Sequence, residues 1–512
     1  MTRKAILIFG LISVIGGIHL ATLREGQEWG DDFSLYIAHA RNIAEGRPYA
    51  DTGYIYNPAN PTLSPRTYPP IFPLLLVPVY LLFGMNLTAM KVFVVLLFMA
   101  MLGVLALLFQ RRLPLPYVLG CLAVFALNPF VWQQKDRLLS ETPFMLFAYL
   151  ALLLAEKAMQ ESRKKRAIFL GLAAGAAAYL AFGTRTIGVV IVPSILASDW
   201  LRQRRLFSSI NLAIGAAFLT GVAAQKCLLV VEGSYLDQLV FDPGLYARIA
   251  MSLGLALGQF FDNGYSNAVR LILFACLLGP ASWAVLARSP GRLSSCEFFA
   301  LFNFAILVFW PAAEYGQRFL LPILPVFFLW VAEGLHRLES TSLRRLEKPA
   351  AAALTLAVLL SYAGWFSRKD TGPIRDGVSA PEAVALFDWV QNQTNPHDVF
   401  LFQKPRAFAL YTGRPALAHR TADDHYRLAH TLQKHGATHI VVYHSSPMPL
   451  FQKSGRLVET FIAENPSGFT QVYENEGFRV YRIREGALAS IKVANRSPGP
   501  EINSDGQHAT VP

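Results

Sequence analysis

The chain has 512 residues, 53% of them hydrophobic and only 16% charged, with a net charge of +12. Soluble domains carry about 25% charged residues. Here the apolar residues come in blocks long enough to cover a bilayer core, which excludes a soluble enzyme and makes this a polytopic α-helical membrane protein.

Arg3 and Lys4 precede the first apolar run, 5–23. It is longer than a signal-peptide core and no small-residue cleavage site closes it, so it reads as a retained span. Further runs follow at 70–84, 87–109, 114–132, 138–155, 167–183, 187–200, 210–231, 266–287, 297–311, 319–335 and 350–366. The basic gaps at 110–112, 161–166, 202–205 and 337–348 follow the positive-inside pattern, so the net charge does not point to nucleic acid. They share one side only if 70–84 does not cross. That run is short and holds Pro70, Pro73 and Pro78, as a re-entrant or interfacial segment does. The expectation is about eleven transmembrane helices, with the N-terminus cytoplasmic and the C-terminus outside. The outer segments are then 24–86, 133–137, the turn at Arg185, 232–265 and 314–318. Cys121, Cys227, Cys276 and Cys296 show neither metal-ligand spacing nor a disulfide framework. No internal repeat is visible.

Beyond residue 368 the composition changes. Residues 381–394 read as an amphipathic helix, "DVFLF" and "THIVVY" as buried strands with a helix at 424–435 between them, and 469–483 as a hairpin turning at Glu474 to Gly477. The division expected is a membrane module over 1–368 whose active site lies in the outer loop 24–86, a small extracytoplasmic α/β domain over 369–485, and a polar, disordered tail over 486–512.

The outer face collects charges that are costly near a bilayer. Asp31 and Asp32 lie just past the first span, Asp136 and Glu141 flank the entry to a later one, and Arg185, Glu314, Gln317 and Arg318 sit in tight turns. Capping of the helix starting near Phe33 is the structural alternative for the aspartates, and lipid head groups are the alternative for Arg185. Lys135 and Arg137 read as head-group anchors and His39 as a surface residue, while Glu141 should pair with a nearby arginine. Fixed arginines suit a lipid phosphate. A carboxylate beside a second one, at a low-dielectric boundary, has its pKa raised and becomes a base for a hydroxyl.

Those residues carry a resemblance. "DDFSLYIAHARNIAEGRPY", "YPPIFPLLLVPVYLLFG", "KDRLLSETPFMLF", "RTIGVVIVP" and "GQRFLLPILP" occur in that order, and the sequence resembles the GT-C glycosyltransferases that use a polyprenyl-phosphate sugar. The similar branch holds protein O-mannosyltransferases and the lipid A aminoarabinose and galacturonic acid transferases. The resemblance implies an inverting sugar transfer to an acceptor hydroxyl of a lipid, glycan or protein, at the outer face of a bacterial inner (plasma) membrane. Asp31 would be the base and Asp32 would orient it, although Asp-Asp stands where the family often has Asp-Glu, so the base remains open between the two. Arg318 and Arg185 would hold the donor phosphate. Asp136 and Glu141 would hold the arginines or place the sugar, and Tyr68 and Gln317 would touch its hydroxyls. No nucleotide is implied, and a divalent cation has room between the phosphate and the acidic site. Two rival readings stay in view, a lipid or solute transporter with a soluble outer domain and a scaffold whose C-terminal domain binds a partner.

Overall fold

A computed structural model describes residues 2–57, 66–204, 207–229, 243–262, 264, 266–310, 316–420 and 423–490. The chain opens with α1 (Arg3–Ala21), α2 (Asp32–Ala44), α3 (Ile71–Phe83), α4 (Leu87–Phe109), α5 (Leu115–Ala126), α6 (Pro129–Gln133) and α7 (Glu141–Gln160). It continues through α8 (Lys164–Phe182), α9 (Ile191–Gln203), α10 (Ser209–Leu228), α11 (Pro243–Gln259), α12 (Asn267–Leu286), α13 (Ser295–Phe309), α14 (Leu324–His336) and α15 (Glu347–Phe366).

Among the described residues, eight helical runs are long and apolar enough to cross a bilayer: α1, α4, α7, α8, α10, α12, and the runs Gln317–Ser340 and Arg344–Phe366 that contain α14 and α15. A ninth results if α5 and Pro129–Asp136, bent by 54°, form one span. Helices α9 and α13 occupy the two remaining expected spans but have only 13 and 15 residues, short of the roughly 20 a perpendicular span needs. Helix α3 has 13 residues, about 20 Å at 1.5 Å per residue, also too short to cross. Its end is apolar and exposed at Leu81, Leu82 and Phe83, as befits a helix lying at an interface. In the outer segment 232–265 the described part is largely the helix α11.

Capping side chains fix several starts. Asn86 accepts from the Ala89 N–H at 3.0 Å, and Ser294 with Glu297 forms a reciprocal capping box. Small residues allow close helix pairs: a Cβ on Gly175 of α8 would collide with the Ile214 carbonyl of α10, and one on Gly334 of α14 with the Pro280 carbonyl of α12. At the end of the bundle away from α2, Arg112, just past α4, meets Glu297 of α13 at 3.0 Å, Glu156 of α7 at 3.6 Å and Glu333 of α14 at 3.6 Å. Arg288, just past α12, bonds Glu297 and Glu333 as well. Charges expected on one side of the membrane therefore meet one another.

The C-terminal region holds α16 (Pro381–Gln393), β1 (Phe400–Leu401), α17 (Pro405–Thr412), β2 (Ala416–Leu417), α18 (His425–Lys434), β3 (His439–Tyr443), α19 (Pro449–Glu464), β4 (Phe469–Glu474), β5 (Phe478–Ile483) and α20 (Ala487–Ser490). The sheet order is β2-β1-β3-β5-β4. Strand β1 is parallel to both its neighbours, and β5 is antiparallel to both of its own. Of the expected disordered tail, Ala487–Ser490 is helical and residues 491–512 lie outside the described residues.

The outer loop is built into this sheet. Tyr54 bridges Ala416 of β2, and the Ile55 N–H donates to the Ala416 carbonyl at 2.9 Å. Trp29, only 1% exposed, enters the aromatic core of the C-terminal region, with ring centroids 5.6 Å from Phe402, 5.8 Å from Tyr443 and 6.0 Å from Phe478. One apolar core thus spans α2, α3, α4 and the C-terminal sheet. Trp29→Ala should destabilise the protein by about 3–5 kcal/mol, the usual cost of emptying such a site. The check is thermal unfolding in detergent together with faster proteolytic cutting between residues 367 and 380.

Candidate active site

The segment before α2 is held from two sides. Lys91 of α4, fully buried, donates its Nζ to the carbonyls of Arg24, at 3.1 Å, and Gly26. The Arg24 N–H donates to Asp136 Oδ1 at 2.9 Å. With Trp29 anchored, Asp31 and Asp32 arrive where four parts of the chain meet: α2, the start of α7, the turn after α8, and the 3-10 turn Gln317–Ile323 before α14. Helix α17 covers them.

Asp32 receives three donors. Tyr68 Oη donates to Oδ1 at 2.6 Å, Arg406 Nη1 to Oδ1 at 3.2 Å and Arg318 Nη1 to Oδ2 at 2.7 Å. Arg318 also bonds Glu141 through Nε, and Arg185 donates to the same Glu141 oxygen at 2.7 Å. Arg185 reaches Ser140 Oγ at 3.1 Å, where the Tyr36 hydroxyl also donates at 2.8 Å.

Asp31 is bound differently. It stands at the start of α2, yet its side chain makes no cap bond there. Its Oδ1 accepts the Ala407 N–H at 3.0 Å, one of the backbone donors that the first turn of α17 leaves free; Lys404, at the cap position of α17, contributes no side-chain bond. Asp31 therefore caps a helix from the other half of the protein. Its Oδ2 lies 3.3 Å from Arg406 Nε, and neither atom has a hydrogen-bond partner among the described residues.

A histidine clamp positions Tyr68. His39 Nδ1 donates to the Tyr49 carbonyl at 2.8 Å and Nε2 accepts the Tyr68 N–H at 3.2 Å, so the ring is neutral with its proton on Nδ1. The Tyr49 hydroxyl donates to the Tyr68 carbonyl at 2.7 Å. Burial drives the His39 pKa down to about 4, against the bond to Tyr49.

The two aspartates diverge electrostatically. Burial raises both, but at Asp32 it is outweighed by Arg318, Arg406 and the Tyr68 hydroxyl, which hold the carboxyl well below the usual range. At Asp31 burial wins over Arg406, Lys404 and the Ala407 N–H, and the pKa rises. Two adjacent carboxyls are thus pushed apart, the pattern that separates acid–base roles at one site.

The structure brings together Asp31, Asp32, Tyr68, Glu141, Arg185 and Arg318. Gln317 is half-buried beside Arg318, and Glu314 lies outside the described residues. Asp136 bonds elsewhere: it pairs with Lys135 at 2.7 Å and holds the Arg24 backbone. Lys135 is buried over the Trp132 ring, so it is not a head-group anchor, and Arg137 pairs with Glu28 at 2.8 Å. His39, expected at the surface, is fully buried. Neither aspartate side chain caps α2. Sequence reasoning missed Arg406, because an arginine in the polar C-terminal region carries no anomaly; the only trace is its place beside Pro405 at a helix start.

Asp32 and one Glu141 oxygen are taken by arginine and tyrosine donors, and the carboxylate oxygens left for a divalent cation are Asp31 Oδ2 and Glu141 Oε2, buried and without a hydrogen-bond partner among the described residues. Among the described residues the one converging set of three metal-type donors is His336, Glu339 and Glu347 at the opposite end, where Glu347 is already bonded by His336 and Tyr117, each at 2.8 Å.

No protein-family model matches the sequence, and no curated protein does. Solved structures match. ArnT from Cupriavidus metallidurans bound to undecaprenyl phosphate is 13% identical at a TM-score of 0.53, over 94% of this chain and 98% of that one. The archaeal oligosaccharyltransferase AglB from Archaeoglobus fulgidus, in complex with an inhibitory peptide and a dolichol-phosphate, is 12% identical at 0.59, over 95% and 75%. The same archaeal oligosaccharyltransferase has a structure in complex with Zn and sulfate, 13% identical at 0.58 over 92% and 72%. Arabinofuranosyltransferase AftD from Mycobacteria is 15% identical at 0.50, over 94% and 42%. At these identities the likeness is one of fold, and the fold is the GT-C type that the sequence resemblance implies.

Because Asp32 has a depressed folded pKa, its ion pairs stabilise the protein fully above the ordinary carboxylate range and are lost as pH falls through the folded value. Asp32→Asn should cost about 2–3 kcal/mol at neutral pH, below the upper range for a broken buried pair because the carboxylate is 28% exposed. It should also flatten the acid side of the stability profile. Thermal unfolding of wild type and variant from neutral pH down through the carboxylate range checks both.

Proposed function

We propose that the protein is an inverting glycosyltransferase that moves a sugar from a polyprenyl phosphate to an acceptor hydroxyl of a lipid, glycan or protein. The transfer takes place at the outer face of a bacterial inner membrane. The observation that carries the reading is the pairing of a buried carboxylate with a free oxygen, Asp31, with a cluster of fixed arginines at one end of the helices. The fold shared with ArnT and AglB, whose structures hold undecaprenyl phosphate and dolichol-phosphate, supports the choice of donor.

Asp31 takes the proton from the acceptor hydroxyl as its oxygen attacks the anomeric carbon. A new carbon–oxygen bond forms there, the bond to the phosphate oxygen breaks, and its electron pair leaves on the polyprenyl phosphate. The growing negative charge on the phosphate is met by Arg185 and Arg318. Fixed donors aimed at developing charge are commonly the largest catalytic contribution. Both arginines are open to entry, with side chains 25% exposed at Arg318 and 18% at Arg185 against 2% for their shared partner Glu141. Asp32, saturated with donors, is a poor base and instead holds Arg318 in place. Contacts to sugar hydroxyls are assigned to Gln317 and Tyr68, of which Tyr68 also donates to Asp32 and accepts from Arg406. No step is assigned to a metal. A transporter would gather its polar groups near mid-membrane, whereas these lie at the ends of α7, α8 and the turn before α14.

Purified protein should bind undecaprenyl phosphate but not undecaprenol, and Arg185→Gln should weaken that binding about tenfold, the worth of roughly 1.4 kcal/mol. Asp31→Asn should bind the phosphate as wild type does and lose about 100- to 10,000-fold in sugar transfer, the contribution of a general base. Equal binding of the alcohol, or full transfer by Asp31→Asn, would remove the reading.

A further inference from the structure

We propose that Arg406 is a positioning residue for Asp31: the C-terminal domain delivers its guanidinium into the acidic pair, where it orients the base and sets its charge state. The site is incomplete without that domain. The proposal deepens the transferase reading and rests on it for its catalytic meaning.

Arg406 is held with little freedom. Its side chain is 3% exposed, and its guanidinium lies over the rings of Tyr54 and Tyr68, 5.1 and 5.4 Å from their centroids. Nη1 donates to Tyr68 Oη at 2.5 Å and to Asp32 Oδ1 at 3.2 Å. That fixes the plane of the guanidinium and leaves Nε 3.3 Å from Asp31 Oδ2. The adjacent residue's N–H, from Ala407, holds the other oxygen of the same carboxylate. Two consecutive residues of α17 therefore grip Asp31, one at each oxygen, and they grip it unequally. Oδ1 is bonded, while Oδ2 faces a charge close enough to feel it but forms no bond. An oxygen in that state keeps a lone pair for an incoming proton.

The charged and titratable groups facing Asp31 are Arg406 and Lys404 from the C-terminal domain and Asp32 from its own helix. Tyr54, from the outer loop, lies under the guanidinium. Removing the Arg406 charge leaves Asp31 buried beside Asp32 with Lys404 as the remaining cation, so its proton is held more tightly. An opposite charge at this range lowers a carboxyl pKa by about one to three units, and its loss should move the titration upward by that amount.

The test is an infrared titration of carboxyl groups in the purified full-length protein, with the Asp31 signal identified by its absence in Asp31→Asn. In Arg406→Gln the Asp31 signal should titrate about one to three pH units higher than in wild type, and Arg406→Lys should bring it most of the way back. Arg406→Met, which keeps the stem between Tyr54 and Tyr68, carries the same expectation as Arg406→Gln should that variant not fold. Asn57→Ala removes a different contact to the C-terminal domain, the bond to the Ala418 carbonyl at 3.1 Å, and should leave the titration where it is. An unmoved signal in both Arg406→Gln and Arg406→Met overturns the proposal. So does a shift in Asn57→Ala as large as theirs, which would make the contact one of docking alone. If Asp31 responds to Arg406 while cells carrying Asp31→Asn keep every glycan unchanged, the positioning role stands and the transferase reading falls.

Discussion

Between the first span and the acidic helix runs the short segment Thr22–Asp31, and the placement of the whole site depends on how that segment is held. Lys91 of α4 and Asp136, just before α7, fix its start. Trp29 and Asp31 fix its end against the C-terminal region, one through a cage of aromatic rings and the other by capping α17. An indole buried to this degree contributes several kcal/mol through area alone. The carboxylate next to it is thereby carried to a position that a free loop would seldom occupy, and the ordering entropy is met by a core that serves a second purpose.

The electrostatics follow from that placement. Asp31, Asp32 and Glu141 face Arg185, Arg318 and Arg406, so the cluster is neutral as a whole while its members differ sharply. Asp32 is saturated and stays ionised; Asp31 keeps an oxygen free and holds its proton more strongly. On the proposed function, a donor phosphate enters by sharing the arginines that Glu141 now occupies, Arg318 and Arg185, whose side chains are 25% and 18% exposed. The second ion network, around Arg112, Glu297 and Arg288, closes the other end of the same helices. The two networks together fix helices whose outward faces are apolar, such as Leu96 of α4 and Leu286 of α12.

What could be read from the sequence was contrast. Charges against an apolar background pointed to Asp31, Asp32, Glu141, Arg185 and Arg318, and the prolines of 70–84 pointed to a helix that stops short. The C-terminal helices at 381–394 and 424–435 and the hairpin at 469–483 were legible from periodicity. The unread parts lie where contrast is missing. Arg406 and Trp29 look ordinary in their local surroundings, and only long-range packing gives them meaning. His39 shows a polar residue on an amphipathic helix and nothing of the clamp it forms. Asp136 and Lys135 stood out as charges, but they satisfy each other and a backbone group instead of joining the site. Helices α11, α17 and α19 and the short strand β2 went unassigned, although α19 buries Phe451, Ser454, Gly455, Val458 and Phe461 at helical spacing and could have been read from its period.

The most direct measurement is mass spectrometry of lipid-linked sugars and envelope glycans, comparing cells that carry the wild-type protein with cells that carry only Asp31→Asn at equal membrane level. The account predicts that one glycan loses a single sugar mass while a polyprenyl-phosphate sugar accumulates, which would name both substrates. An unchanged set of glycans and lipid-linked sugars would contradict it and leave Asp31 as no more than the cap of α17.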